Sequence, residues 1–172
     1  GSNVRYMTHY HHRLYFSART DFYGQELWEF NGADPPEMVV DINPGPSGSE
    51  PNNLIVFDDK LYFSADDGFH GKELWSYGGS GLPELTYDFW PGSVSSWISR
   101  LTTLNNKLYF TARDSIHCHE LWCFDGINPP SMVTNISPGE ECSAISGLSQ
   151  FDGKLMFYDK DSLIEEGWNL QL

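Results

Sequence analysis

The stretch KLYFSADDGFHGKELW, Lys60 to Trp75, decides the fold because it returns along the chain at a fixed spacing. Arg13 to Ala18 reads RLYFSA, Lys107 to Ala112 reads KLYFTA, and Lys154 to Asp159 reads KLMFYD, so that Leu14, Leu61, Leu108 and Leu155 are about 47 residues apart. The same shift carries Glu26-Leu27-Trp28 onto Glu73-Leu74-Trp75 and Glu120-Leu121-Trp122, and with a one-residue slip onto Gly167-Trp168. It also carries Pro44-Gly45 onto Pro91-Gly92 and Pro138-Gly139. A period of this length marks a stack of supersecondary units rather than one irregular core.

Within a unit the punctuation divides four short strands, a to d. Strand a is Leu54 to Phe57 and its equivalents. The pair that follows is Asp58-Asp59, Asn105-Asn106 or Asp152-Gly153, residues that tolerate the positive φ of a tight type I′ hairpin, and His11-His12 stands there in the first copy. Strand b is LYFSA, strand c is ELWEF, ELWSY or ELWCF, and strand d is a segment such as Glu37 to Ile42. Strands b and c place apolar residues side by side, as in Leu61-Tyr62-Phe63, which calls for cover on both faces. Radially packed four-stranded blades supply that cover. The expected fold is therefore an all-β propeller, one domain over residues 1–172, with blades at about 4–50, 51–97, 98–144 and 145–172. A closed four-bladed monomer is the first expectation, and half of a seven- or eight-bladed ring the second. In the latter case the C-terminal edge at Trp168 to Leu172 would pair with a second copy. Trp28, Trp75, Trp122 and Trp168 are expected to be buried equivalents.

The run PGPSGSEPNNLIVFDDKLYFSADDGFHGKELW, Pro44 to Trp75, resembles the ELW-type (ELWxxDGT) tandem repeat of secreted and surface proteins. The resemblance covers essentially the whole chain, although the usual DGT is only partly kept, in Asn31-Gly32 and Asp125-Gly126. It implies a repeat architecture and an extracellular or cell-surface setting, and it brings no catalytic residues. The strand pattern is also similar to that of hemopexin-like four-bladed propellers.

Six Trp, nine Tyr and eleven Phe in 172 residues are enough for a packed core. Ten Lys and Arg against 24 Asp and Glu leave a net charge of −14, which disfavours nucleic acid and anionic membrane as partners. No apolar run is long enough to span a membrane, so no membrane insertion is expected. Of the three cysteines, Cys118 stands where earlier copies have Gly24 and Gly71, and Cys142 where they have Gly48 and Ser95. A bridge between those loops is sterically feasible, and an odd cysteine also suits a reduced intracellular chain.

Alternating strand direction puts the b–c loops and the long d–a loops on one face. Its candidate ligand-binding residues are Trp90, Trp97, Phe69, His70, Asp67, Asp114 and His117, rings beside carboxylates that suit a sugar or a peptide anchor. Phe22, Tyr23 and Asp21 occupy the corresponding loop of the first copy. The repeated Glu26, Glu73 and Glu120 are read as acceptors for the backbone of their own b–c loops. A Ca²⁺ role for them is the second reading, against which stands the lack of a spaced Asp ladder, so no cofactor is expected. His117-Cys118-His119-Glu120 with Cys123 has zinc-ligand residue types but no paired CxxC, and is read as an exposed loop end with no metal. No nucleophile elbow, phosphate loop or HExxH motif occurs, so the chain is expected not to be an enzyme. The function expected is an extracellular binding or adhesion module for a glycan or protein partner. A scaffold within a larger surface protein is the alternative, and a hydrolase with a propeller active site the third reading.

Overall fold

The computed structural model describes residues 3–134 and 145–159. Cys142, Trp168 and the edge at 168–172 lie outside the described residues. Every regular element among those described is a strand. The first copy comprises β1 (Arg5–Tyr10), β2 (Arg13–Thr20), β3 (Gly24–Phe30) and β4 (Glu37–Val40). The second comprises β5 (Asn52–Phe57), β6 (Lys60–Asp66), β7 (Lys72–Tyr77) and β8 (Glu84–Tyr87). The third comprises β9 (Ser99–Leu104), β10 (Lys107–Ala112), β11 (Glu120–Phe124) and β12 (Ser131–Thr134). The fourth contributes β13 (Ile145–Phe151) and β14 (Lys154–Asp159).

Each copy folds as its own antiparallel meander, with strand orders β1-β2-β3-β4, β5-β6-β7-β8, β9-β10-β11-β12 and β13-β14. All four a–b turns have two consecutive left-handed residues. These are His11 (φ 45°) and His12 (62°), Asp58 (44°) and Asp59 (54°), Asn105 (48°) and Asn106 (54°), and Asp152 (48°) and Gly153 (70°). That is the type I′ geometry whose twist matches the flanking strands. A second left-handed residue recurs near the start of each strand a, at Tyr6 (φ 55°), Asn53 (56°), Arg100 (58°) and Gly147 (64°). The register of strand a on strand b slips beside it in every copy, the mark of a β-bulge.

The expectation of a propeller is corrected here. Among the described residues the strands form four separate antiparallel sheets, three of four strands and one of two, and no sheet closes into a barrel or a propeller ring. Hairpin register and strand count follow from local pattern, whereas closure depends on the angle between successive sheets, which the pattern of apolar residues does not encode.

The chain divides into two compact units, Gly1–Ser96 and Trp97–Leu172. In the first, the sheets of copies one and two pack over Tyr10, Tyr15, Leu27, Leu61, Phe63, Ala65, Trp75 and Tyr77. Their a strands touch, and Thr8 Oγ1 donates to the Leu54 carbonyl at 3.0 Å while the Tyr10 hydroxyl donates to that of Asp59 at 2.6 Å. In the second unit Leu104, Tyr109, Leu121, Ile145, Leu155 and Phe157 form the core. Strands β6 and β10 are buried on both faces, with Leu61 to Ala65 and Leu108 to Ala112 all inaccessible, as their apolar neighbours require. Trp75 and Trp122 are buried, but Trp28 is only half-buried.

Candidate functional site

The b–c loops are built from one recurring turn. In the second copy Asp67 Oδ1 accepts the N–H groups of Phe69 and His70, both at 2.9 Å, and its Oδ2 lies 2.7 Å from His70 Nδ1. In the third copy Asp114 Oδ1 accepts Ile116 N–H at 2.8 Å and His117 N–H at 2.5 Å, and Oδ2 lies 3.0 Å from His117 Nδ1. In the first copy Thr20 Oγ1 accepts the Tyr23 N–H at 3.1 Å. These are Asx- and ST-turns, in which a short polar side chain replaces a backbone acceptor and reverses the chain. Both carboxyls are held below their usual range: burial pushes each up, and the combined hydrogen bonds from backbone and imidazole outweigh it. The His70 imidazole is pushed up, chiefly by its bond to Asp67.

Each turn presents one apolar side chain at its tip. Phe22, Phe69 and Ile116 occupy the same repeat position and are 82%, 75% and 81% exposed. Ile116 and this equivalence escaped the sequence reading, although the 47-residue shift that aligns the strands also aligns the tips.

Beneath the loops lie the repeated carboxylates. Glu26 accepts N–H groups from Ile42 (3.2 Å), Asn43 (3.3 Å) and Ser49 (2.7 Å), together with the Ser49 hydroxyl. Glu73 accepts from Phe89 N–H (3.0 Å), Ser96 N–H (3.1 Å) and the Ser96 hydroxyl (2.7 Å). These glutamates therefore anchor the d–a loops, not the b–c loops as expected. All three are inaccessible, and burial pushes Glu26 up and Glu73 up to about 7. Among the described residues no three His, Cys, Asp or Glu side chains come together as a metal would need.

The seven candidate residues divide between the units. Asp67, Phe69, His70 and Trp90 belong to the first, where the turn joins Asp67 to His70 and Trp90 is half-buried. Trp97, Asp114 and His117 belong to the second, where Trp97 is 55% exposed with the Arg113 guanidinium 5.9 Å above its ring. Arg113 was not anticipated, because a cation–π pair between residues so far apart leaves no local signature. The zinc-type cluster is dispersed. His117 bonds to Asp114, Cys118 is disulfide-bonded, Glu120 is buried, and Cys123 keeps a free thiol 3.4 Å from Ser131 Oγ.

The position of Cys118 explains its bond. At the same place in the earlier copies, a Cβ on Gly24 would lie 2.4 Å from Gly48 N, and one on Gly71 would lie 2.8 Å from Ser95 N. The b–c and d–a loops of the first two copies thus cross at backbone contact, a spacing at which a cysteine in place of the glycine is within bridging reach of the facing loop.

No family model matches the chain, and no curated protein matches it. Among solved structures it is similar to one titled "AtxE2 Isopeptidase - APO", with a TM-score of 0.55 and 12% identity. The match covers 89% of this chain and 24% of that one, so this chain spans about a quarter of its length. At this identity the likeness is one of fold. It corrects the expectation of a non-enzyme, since the architecture is one that an enzyme's chain contains.

Proposed function

We propose that this chain is an interaction module of an extracellular or cell-surface protein that engages a glycan or protein partner through its b–c loop tips. The observation that carries this reading is the recurrence of Phe22, Phe69 and Ile116, each exposed and each held out by its own turn. Large apolar groups left in water at an equivalent position in three copies contribute nothing to the core, whereas they suit contact with a partner. Acidic neighbours such as Asp21, Asp66 and Asp67 add acceptors for hydroxyl or amide donors. The disulfide at Cys118 favours an oxidising compartment, and the resemblance to the ELW-type repeat points the same way.

A glycan array and a cell-surface binding assay, run beside a Phe22→Ser/Phe69→Ser variant, test the proposal. Binding by the parent chain that the double variant loses, with its melting temperature kept, is the expected result. Binding that survives would move the site away from the tips. The fold match favours a second reading, in which the chain is the β portion of a longer catalytic protein and its loops steer substrate. Under that reading the tip variant would lower turnover by the full-length protein without altering its reaction.

A further inference from the structure

We propose that the first unit holds an acidic sugar residue in a cleft where strands β3 and β7 begin, a site separate from the loop tips. The cleft has a volume of about 140 Å³ and is lined by Arg5, Tyr6, Gln25, Glu50, Asn52 and Lys72. With each water taking about 30 Å³, that is room for a group of several heavy atoms rather than a lone ion. Two pairs of lining residues are repeat equivalents: Arg5 with Asn52 at the starts of strands a, and Gln25 with Lys72 in strands c.

Charge selects the ligand. Lys72 Nζ lies 2.5 Å from Glu50 Oε2, so these two neutralise each other. The exposed Arg5 side chain makes no ion pair or hydrogen bond among the described residues, its backbone being paired in the β1–β2 ladder. Among the described residues the cleft therefore carries one positive charge that no carboxylate pairs, in a chain whose net charge is −14. A guanidinium fork pairs with a carboxylate through two parallel hydrogen bonds, while the surrounding negative field discriminates against multivalent anions. The remaining lining suits hydroxyl groups. Gln25, steadied by donating from Nε2 to Ser17 Oγ at 2.8 Å, offers its amide oxygen; Asn52, held by donating from Nδ2 to the Glu50 carbonyl at 3.3 Å and by accepting from Asn53 Nδ2, keeps a second N–H and a second lone pair; and the Glu50 carboxylate offers a further acceptor. Tyr6, 46% exposed, adds a ring on which the C–H face of a sugar can stack. A carboxylate flanked by hydroxyls on a ring, as in a hexuronate, meets all these demands together.

The fold does not require this chemistry. Tyr6 and Glu50 are left-handed, with φ of 55° and 49°, and so are Asn53 (56°) and Arg100 (58°), the equivalents of Tyr6 in copies two and three, and Trp97 (56°), the equivalent of Glu50 one period on. The backbone device is thus repeated, while His119 replaces Gln25 and Lys72, Ser99 replaces Arg5 and Asn52, and Trp97 replaces Glu50.

Amide chemical-shift mapping of the whole chain with methyl glucuronide, methyl glucoside and acetate tests the assignment. The glucuronide is expected to give saturable shifts at Gln25 and Asn52, with the glucoside and acetate each binding at least about tenfold more weakly. Arg5→Gln is expected to weaken glucuronide by about tenfold or more, as loss of a charge-assisted pair implies, with an unchanged circular dichroism spectrum. Phe22→Ser/Phe69→Ser is expected to keep glucuronide affinity, which separates this cleft from the loop-tip reading. No saturable shift, acetate binding as tight as glucuronide, unchanged affinity in Arg5→Gln, or loss of glucuronide in the tip variant would each overturn the proposal.

Discussion

Two carboxylate positions recur along this chain and do opposite things. Glu26, Glu73 and Glu120 are the same residue in three copies and are sealed from water, and Glu26 and Glu73 tie down the d–a loops of their own copies. The turn-making position above them is Thr20, Asp67 or Asp114, each doing the same backbone work at the surface. What separates the two is access to water. A stranded N–H under the loops has no substitute partner, whereas one at the tip turns to solvent. The Asp–His pair of copies two and three is therefore not needed to shape the loop, since copy one forms its turn with a hydroxyl and Tyr23.

The largest expected effect lies on the buried side of this contrast. Trp75, beside Glu73 and buried in the first core, should cost about 3 to 5 kcal/mol on truncation to Ala, measured by chemical denaturation. A loss below about 1 kcal/mol would show that the c strand is not a core element.

Next comes pH. An unfolded glutamate ionises near 4.5, and folded Glu73 retains its proton up to about 7, so the folded state binds the extra proton between these values. Stability is then greatest at the acid end, falls as pH rises from about 4.5 to 7, and levels off above. Glu73 alone contributes roughly 3 kcal/mol to that fall. Denaturation curves at pH 5, 6, 7 and 8 should show it, and Glu73→Gln should remove the greater part of the slope. A stability that rises across this range would sink the assignment.

The surface position should respond least. Asp67→Asn keeps an acceptor for the turn and is expected to change stability by less than about 1 kcal/mol, the size of an ordinary side-chain cap. Its readout is His70, whose pKa by NMR should stand above the ordinary histidine value in the parent and fall toward it in the variant. An unmoved His70 titration would mean the pair seen here does not persist in solution.

Local features were legible in the sequence because their causes are local. Asp58-Asp59, Asn105-Asn106 and Asp152-Gly153 are left-handed pairs by residue type, and His11-His12 follows by repeat position. The double burial of Leu61 to Ala65 follows from adjacent apolar residues. Glu26 was read correctly as a backbone acceptor but assigned to the wrong loop. Its partner Ser49 is 23 residues away, and the intervening chain has to fold before that choice exists. Trp28 shares its motif with Trp75 yet is half-buried, a difference that the common motif does not encode. Ring closure was over-read for the same reason, being a relation between sheets rather than within one. Of the candidate site, the Asp67–His70 and Asp114–His117 turns came together, while the partner of Trp97 and the polar cleft depend on residues brought close only by packing.

The way the d–a loop is held bears on where the molecule can be cut and rejoined. Ser49 and Glu50 close the first copy through Glu26 and the Gln25 carbonyl, and Ser49 O also accepts the Asp66 N–H of the second copy at 3.0 Å. A new terminus placed at the apparent repeat boundary, between Glu50 and Pro51, would open a clasp shared by two copies. Among the described residues the exposed side chains of Asn105 and Asn106 join no hydrogen bond or ion pair, so circular permutation should begin there, inside a repeat rather than between two.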